Sequence, residues 1–414
     1  SNYEIARRIG VNEKAIRKQL KRLGWREQTP EQPVLALTGS ADPNLSAFAT
    51  APIESTPAPT SPAADPNLSA PGKMPLSPDA DPGNRVMDRL LARLGLLNDA
   101  VPLFRSGVSI PRAGVLLAIP ALAKTGVFDC AKLVFGDIGP AFYGLRTTVL
   151  ALLLMALLRI KRPEALKEHV PSDLGRLLGL DRAPEVKTLR RKLSILAAYG
   201  RAVEFGRELA RLRVEARGDA IGFLYIDGHV RVYHGKHPIP KTHVTRMRLS
   251  MPATSDYWVN DRDGEPIFVV TAEANAAMTR MLPTLLAEIR ALIGERRVTI
   301  VFDRGGWSPK LFQSIIAQGF DILTYRKAPL RRIPRNRFYD HAAVIDGRDV
   351  AYTLADQGIA LLGGSLRLRQ VTRLSADGHQ TQVITSRRDL PAIEVAYRMF
   401  ERWRQENFFK YLGE

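Results

Sequence analysis

Two stretches, Phe223-Leu-Tyr-Ile-Asp227 and Val298-Thr-Ile-Val-Phe-Asp303, decide the fold of the second half of the chain. Each is a short, continuous apolar run that closes with a carboxylate, which is the pattern of a buried β-strand. Segments with helical periodicity lie at Met278 to Ile293 and at Pro309 to Gln318, so strands and helices alternate. The sequence therefore predicts an α/β core in which helices flank a mixed sheet.

Weaker patterns complete the predicted elements. Further strands are predicted at Val230 to His234, Thr245 to Met251, Ile267 to Thr271 and Phe320 to Tyr325, β-hairpins at Ala328 to Arg388 with turns at Asp346-Gly347 and Asp377-Gly378, and a closing helix at Pro391 to Leu412. Upstream of the sheet, Leu-rich stretches broken by Gly and Pro predict an all-helical region from Arg85 to about Arg217.

The carboxylates of Asp227 and Asp303 each follow an apolar strand. If the two strands are neighbours, both side chains converge at one rim of the sheet, where strand ends hold residues rigidly. Hard oxygen ligands of this kind suit Mg²⁺, and two such ions ~4 Å apart promote in-line displacement at phosphorus. The alternative interpretation is that each aspartate only caps a turn.

A third carboxylate lies on the predicted closing helix. Arg402, Glu406 and Lys410 are spaced by four residues and so share one helix face. A carboxylate between two cations is a sensible metal ligand beside a phosphate clamp. An exposed ladder of ion pairs is the alternative.

Together these motifs resemble a known family. Tyr-Ile-Asp-Gly-His at Tyr225, Val-Phe-Asp-Arg-Gly-Gly-Trp-Ser at Val301 and Arg-Trp-Arg-Gln-Glu-Asn-Phe-Phe-Lys at Arg402 are similar to the three catalytic motifs of bacterial insertion-sequence transposases. That family carries a DDE triad on a ribonuclease-H-like core, often with a β-rich insertion before the helix that bears the Glu. The resemblance implies Asp227, Asp303 and Glu406 as catalytic metal ligands. The chain departs from the helix motif at Met399 and Gly413, where the family has Tyr and Lys.

The resemblance and the composition together predict a multidomain order. The predicted segments are 1–25, a helix-turn-helix; 26–84, a disordered Pro-rich linker; 85–218, an all-helical domain; 219–327, the first part of the ribonuclease-H-like core; 328–388, the β-rich insertion; and 389–414, the catalytic helix.

Two helical patterns carry basic faces that suit DNA. At the N-terminus an apolar stripe packs while Arg17, Lys18, Lys21 and Arg22 face outward, as on a recognition helix. A second such pattern spans Leu174 to Leu196, with Lys187, Arg190, Arg191 and Lys192 as its basic face. An ordinary solvated helix face is the alternative in both cases.

Overall charge points to the same class of partner. The 414 residues contain 60 Lys and Arg against 42 Asp and Glu, a formal net charge of +18, which favours polyanions such as nucleic acid. The single cysteine, Cys130, excludes an intramolecular disulfide and is predicted to be a core residue in a reducing compartment. The longest apolar run, Val149 to Leu158, is shorter than the ~18–20 residues of a membrane span, so no membrane partner is predicted.

Histidines crowd the stretch after Asp227. His229, His234, His237 and His243 invite a zinc hypothesis, but their spacing matches no known arrangement of zinc ligands. We instead expect His229, two residues along the strand from Asp227, and Arg304, directly after Asp303, to support the two aspartates.

The sequence thus predicts a bacterial, cytoplasmic, nucleoid-associated DNA transposase that uses Mg²⁺, with Mn²⁺ as a substitute. Double-stranded DNA at the element ends and at the target is the expected partner, and joining two ends implies a homodimer in a synaptic complex. Two alternatives stay open at this point. One is a metal-dependent nuclease of the same fold that cleaves without joining, and the other is an inactive transposase-derived regulator that only binds DNA.

Overall fold

A computed structural model of the chain describes residue 79 and residues 81–235, 237–244 and 247–400. Several predicted features lie outside the described residues. They are the N-terminal helix-turn-helix with Arg17, Lys18, Lys21 and Arg22, most of the Pro-rich linker, and the part of the closing helix that bears Arg402, Glu406 and Lys410.

The region before the sheet is helical, as the Leu-rich periodicity predicts. Its α-helices are α1 (Val86–Arg93), α2 (Ile119–Lys124), α3 (Val127–Phe135), α4 (Leu145–Leu157), α5 (Pro171–Leu177), α6 (Val186–Ala198) and α7 (Ala202–Arg217). The segment that follows α5 packs closely against that helix because Gly175 has no side chain, since a Cβ there would collide with the backbone of Arg182. Cys130 is buried, as predicted, and burial raises the pKa of its thiol.

No single helix in the described part of the chain is long and apolar enough to cross a membrane. The segments Ala113–Lys124 and Val127–Phe135, bent by 61° relative to each other, meet the length and composition criteria only as a pair.

The second half of the described chain forms one ten-stranded mixed sheet. Its strands are β1 (Phe223–Val232), β2 (Lys241–Val244), β3 (Leu249–Asn260), β4 (Pro266–Ala272), β5 (Thr299–Phe302), β6 (Asp321–Tyr325), β7 (Tyr339–Ile345), β8 (Arg348–Leu361), β9 (Leu366–Leu374) and β10 (Gln380–Thr385). The order is β2-β3-β1-β5-β6-β10-β9-β8-β7, and β4 also pairs with β3. Strands β1, β5 and β6 are parallel, and the remaining pairs are antiparallel. The prediction of a mixed α/β architecture is confirmed.

Asp227 does not end its strand, contrary to the sequence prediction. Strand β1 continues through Gly228 to Val232, because its second half pairs with residues 253–257 of β3. The predicted separate strand at Val230 to His234 is therefore the continuation of β1. Asp and Gly are poor strand formers in isolation, but pairing with a long neighbour overrides that preference.

Helices cover both faces of the sheet. One face carries α7, α8 (Met278–Ile293) and α9 (Pro309–Ala317), which bury an apolar core against β1 and β5. The opposite face carries α10 (Ala392–Phe400), which packs against Phe223 and Tyr225 of β1 and Val301 of β5. The period of 3.6 residues in α8 places Leu282, Leu285, Leu286 and Ile289 on its buried side.

The segment predicted as a β-rich insertion is joined to the same sheet. Strands β7 to β10 form a meander, and β10 pairs antiparallel with β6 over Val383–Tyr325 to Thr385–Leu323. Residues 339–385 therefore extend the sheet beyond β6.

Candidate active site

Asp227 and Asp303 occupy equivalent positions on neighbouring parallel strands. Ile226 of β1 is the register partner of Phe302 of β5, and each aspartate is the next residue along its strand. Strands that pair in this way are ~4.8 Å apart. The sequence predicts that the two carboxylates converge if their strands are neighbours, and the two strands are neighbours.

Both aspartates belong to the sheet face that α10 covers. Side chains alternate along a strand, and Tyr225 and Val301, two residues before the aspartates, pack on α10. Asp303 keeps an extended backbone, with φ −83° and ψ −174°, so the alternation reaches it. Both carboxylates are half-buried at the rim.

A tight turn holds Asp303 in place. Its carboxylate accepts a hydrogen bond of 2.8 Å from the backbone N–H of Gly305, and its backbone carbonyl accepts one of 3.2 Å from the hydroxyl of Thr324. A Cβ at Gly305 would lie 2.8 Å from Oδ1 of Asp303, so this turn needs glycine. The aspartate is therefore fixed to β6 as well as to its own strand.

Tyr257 of β3 lies near enough to both aspartates to respond to their charge. Burial raises the pKa of its hydroxyl, and the negative charges of Asp303 and Asp227 raise it further. The ring lies across from Gly228, where a Cβ would be 2.9 Å from Cε1 of the tyrosine. The hydroxyl donates a hydrogen bond to the carbonyl of Ala276. Sequence reasoning missed this residue because it ended the predicted strand at Met251.

His229 and Arg304, which the sequence predicts to support the aspartates, lie on the two aspartate-bearing segments. His229 is half-buried in β1, on the same side of the strand as Asp227 and in register with Asp256 of β3. The exposed Arg304 places its guanidinium 5.6 Å from the ring centre of Tyr325, the last residue of β6. Arg304 thus spans the rim between β5 and β6.

The other histidines are dispersed. His234, His237 and His243 are exposed. Within the described part of the chain, no three His, Cys, Asp or Glu side chains are grouped as a metal site would require. The zinc alternative gains no support from these residues.

Helix α10 begins at the edge of the sheet opposite the aspartates. Just before it, Asp389 pairs with Arg387 at 2.8 Å and with Arg297 at 3.2 Å, and Arg297 also pairs with Asp321, the first residue of β6. Hydrogen bonding from Arg387 holds the pKa of Asp389 well below its usual range. The start of α10 is therefore tied to the edge where β5 and β6 begin.

From there the helix runs alongside the parallel strands. The hydroxyl of Tyr225 donates a 2.9 Å hydrogen bond to the carbonyl of Arg398, and the ring of Phe400 lies 6.5 Å from that of Tyr325. Since Tyr325 ends β6, the last described turn of α10 has reached the edge of Asp227 and Asp303.

The predicted second helix-turn-helix consists of α5 and α6, and its basic face differs in part from the prediction. Lys187, Arg190 and Arg191 are exposed, but Arg190 donates a 2.6 Å hydrogen bond to Glu164, which offsets its charge. Lys192 is only 4% exposed, and burial followed by the charge of Arg191 lowers its pKa. Lys192 is therefore removed from the predicted DNA-facing set, because its position on α6 turns inward beside Leu189.

Comparisons with known proteins found a matching family model and similar solved structures. A family model described as "Transposase protein" matches residues 82–414. No curated protein matches the chain. Among solved structures, a piggyBac transposase synaptic complex with hairpin DNA is 13% identical, with a TM-score of 0.33, over 62% of this chain and 55% of that chain. The Mos1 mariner paired-end complex with Mn is 12% identical, with a TM-score of 0.18, over 42% of this chain and 57% of that chain.

The chain thus spans little more than half of the length of these solved transposases. The family match is much broader, because it begins at residue 82 and includes every described helix and strand. On that match, the chain belongs to a family of transposase proteins.

Proposed function

We propose that this transposase family member is a DDE transposase that cleaves DNA at the ends of its element and joins the freed ends to target DNA. The observation that carries the proposal is that Asp227 and Asp303 directly follow Ile226 and Phe302, which are register partners on neighbouring parallel strands. The strand order β4-β3-β1-β5-β6, with β1, β5 and β6 parallel, supports a ribonuclease-H-like core. Residues 328–388 then correspond to the β-rich insertion of insertion-sequence transposases.

The third carboxylate in this proposal is Glu406. Helix α10 runs toward the rim of the two aspartates, and Phe400 already lies beside the end of β6. A helix that continued past Phe400 would place Glu406 about 9 Å further along its axis, at ~1.5 Å per residue. Arg402 and Lys410, one turn to either side, would then face DNA phosphates.

The donors at this rim suit a hard divalent cation. Two half-buried carboxylates offer oxygen ligands with the charge and mobility that Mg²⁺ accepts, and Mn²⁺ takes the same ligands. When bound there by Asp227, Asp303 and Glu406, such ions activate the attacking hydroxyl and stabilise the leaving oxygen. His229 and Arg304 hold the two aspartate-bearing segments in position, and the Gly305 turn keeps the Asp303 carboxylate oriented.

DNA recognition is assigned to basic helices. Arg17, Lys18, Lys21 and Arg22 would contact the element ends, with Lys187, Arg190 and Arg191 as a second contact. A homodimer would hold two ends together, as expected for a bacterial insertion-sequence transposase acting in the cytoplasm on the nucleoid. The solved piggyBac relative is itself a synaptic complex with hairpin DNA.

The test is strand transfer with Mg²⁺ or Mn²⁺ on DNA that carries the element's own ends. We compare the wild type with Asp303→Asn, and with Asp349→Asn as a matched control at an exposed position on β8. The proposal predicts transfer by the wild type and by Asp349→Asn. It predicts none by Asp303→Asn, which should bind DNA with unchanged affinity.

Other outcomes assign the chain to the alternatives. Cleavage without joining identifies a nuclease of the same fold. Tight DNA binding by a folded wild type that shows no reaction with either metal identifies a regulator. Loss of DNA binding by Asp303→Asn would show that the aspartate serves affinity and not chemistry.

A further inference from the structure

The connection between β6 and β7 is the most strongly basic segment of the described core. We name residues 326–337 the arginine loop. Half of its twelve residues are cationic and none is acidic. The cationic residues are Arg326, Lys327, Arg331, Arg332, Arg335 and Arg337.

The arginine loop starts at the edge of the sheet that holds the aspartates. Arg326 follows Tyr325, the last residue of β6, and β6 is the parallel neighbour of β5, which leads into Asp303. The loop then passes over the turn between β9 and β10, where Arg332 donates a hydrogen bond to the carbonyl of Gly378. The loop therefore extends from the edge of the sheet that holds the candidate active site and not from the opposite edge.

Hydrogen bonds from β10 fix the loop backbone. The side-chain amide of Gln380 accepts a 2.8 Å hydrogen bond from the N–H of Ile333 and donates one of 2.8 Å to its carbonyl. Gln382 donates a 2.6 Å bond to the carbonyl of Arg331, and its own carbonyl accepts one of 2.9 Å from the N–H of Arg326. Ile333 is buried, so the loop has an apolar anchor as well. The arginines therefore project from an ordered backbone.

Positive charge in the loop has no local counter-charge. Lys327, Arg331, Arg332, Arg335 and Arg337 are exposed, and no carboxylate among the described residues lies within ion-pair distance of them. Some arginines elsewhere in the sheet do have such a partner, as Arg297 has in Asp321 and Arg369 has in Asp356. Burial lowers the pKa of the Arg326 guanidinium, and the charge of Arg331 lowers it further. The loop thus maintains a positive potential that an external anion can neutralise.

We propose that the arginine loop binds the phosphate backbone of duplex DNA beside the scissile phosphate. This inference rests on the proposed function, which makes duplex DNA the substrate at the neighbouring rim. Guanidinium groups match phosphate oxygens in bidentate geometry, and a fixed backbone reduces the entropy lost on binding. The loop would hold DNA through charge and not through sequence, so it complements the basic helices.

The test is binding of the full chain to a short duplex of unrelated sequence across a range of salt concentrations. The loop variant carries Arg331→Gln, Arg335→Gln and Arg337→Gln, and it keeps Arg332, which bonds to Gly378. The matched control carries Arg296→Gln, Arg367→Gln and Arg388→Gln. These three exposed arginines lie at the opposite edge of the sheet, where β5, β6 and β9 begin and β10 ends. Their substitution removes the same amount of positive charge as the loop variant does.

The loop variant should bind about tenfold more weakly near 0.15 M salt. Its slope of log Kd against log salt should fall by about 2 to 3, since each phosphate contact contributes ~0.9. The control variant should change both quantities far less. Equal losses in the two variants would reveal a general effect of net charge, and unchanged binding by the loop variant would remove the loop from the interface. Both variants should unfold at the wild-type temperature, and a loop variant that unfolds earlier is replaced by the single change Arg337→Gln.

Competing polyanions separate duplex DNA from other partners. Binding to a single strand of the same sequence, or to vesicles of anionic phospholipid, should depend less on the arginine loop than binding to the duplex does. Stronger loop dependence with either of them would overturn the proposal.

Failure of this proposal is distinguishable from failure of the proposed function. If the wild type performs strand transfer, and the loop variant transfers strands and binds DNA as the wild type does, the proposal for the arginine loop alone is refuted. If DNA binding depends on the arginine loop but the wild type performs no strand transfer, the proposed function alone is refuted.

Discussion

A hydrogen bond joins Tyr225 of the sheet to α10, the first part of the predicted catalytic helix. Removing one oxygen atom from Tyr225 tests whether this bond positions the helix. Tyr225→Phe removes only the hydroxyl that donates to the carbonyl of Arg398 at 2.9 Å, and it leaves the ring in a site that is 5% exposed. The lost bond should lower the free energy of unfolding by about 1 kcal/mol. Chemical denaturation of both proteins measures that difference.

The same change should lower the rate of strand transfer. Tyr225 lies two residues before Asp227, so its bond sets the distance between β1 and α10, the helix that precedes Glu406 in the sequence. A small misplacement of a catalytic group is costly, and we expect kcat to fall by about tenfold with little change in KM.

Tyr143→Phe is the matched control, because its hydroxyl donates a 3.0 Å bond to the carbonyl of Arg182 in the helical region, away from the sheet. It should cost a similar free energy of unfolding but leave kcat near the wild-type value. Equal kcat for the two variants would refute the reasoning that α10 is positioned through Tyr225.

Four further predictions concern stability and binding. Asp346→Ala should destabilise the protein by about 2–3 kcal/mol in chemical denaturation, because Glu394 is then the one counter-charge left to Arg398, 6% exposed, among the described residues. Gly228→Val should cost about 1–3 kcal/mol and abolish strand transfer, since a Cβ there meets the ring of Tyr257 at 2.9 Å; normal transfer by this variant would contradict the site geometry. Asp389→Asn should be less stable than the wild type at neutral pH; in acid titrations the difference should begin to shrink below about pH 4, the ordinary pKa of Asp, and should vanish only as the pH falls through the depressed pKa of Asp389. Lys187→Gln should weaken DNA binding whereas Lys192→Met should leave it unchanged and raise stability, because Lys187 is exposed and Lys192 is a buried cation.

Periodicity was sufficient where a segment follows one rule along its length. Helix α8 was predicted at its observed bounds, because Leu282, Leu285, Leu286 and Ile289 repeat at helical spacing and all face the core. The strands leading to Asp227 and Asp303 were also predicted, since continuous apolar runs are typical of strands buried on both faces.

Periodicity failed where polar residues are buried in a strand. Strand β3 continues to Asn260, although the prediction ended at Met251. Its buried Asp256 accepts a 2.8 Å hydrogen bond from Thr271 of β4, and Asn260 bonds to the carbonyl of Gly264. These partners lie beyond the strand, so the sequence alone could not show that Asp256 and Asn260 find hydrogen-bond partners in the buried sheet.

Long-range pairing was also beyond sequence reasoning. The Asp-Gly turns correctly predicted hairpins between residues 328 and 388, but nothing local indicates that β10 pairs with β6. The neighbourhood of β1 and β5 could be stated only as a condition, because parallel strands are joined through distant segments of chain. The predicted roles of Asp227, Asp303 and Glu406 stay predictions until the reaction is measured.

The junction between β6 and β10 has a consequence for how this sheet can be altered. If residues 328–388 were deleted, β6 would become an edge strand of apolar composition with a row of unpaired N–H and C=O groups. Such an edge recruits strands from other molecules, so the shortened protein should aggregate even if its core could still form. The meander therefore protects the solubility of the core that it adjoins, and it cannot be treated as a removable accessory.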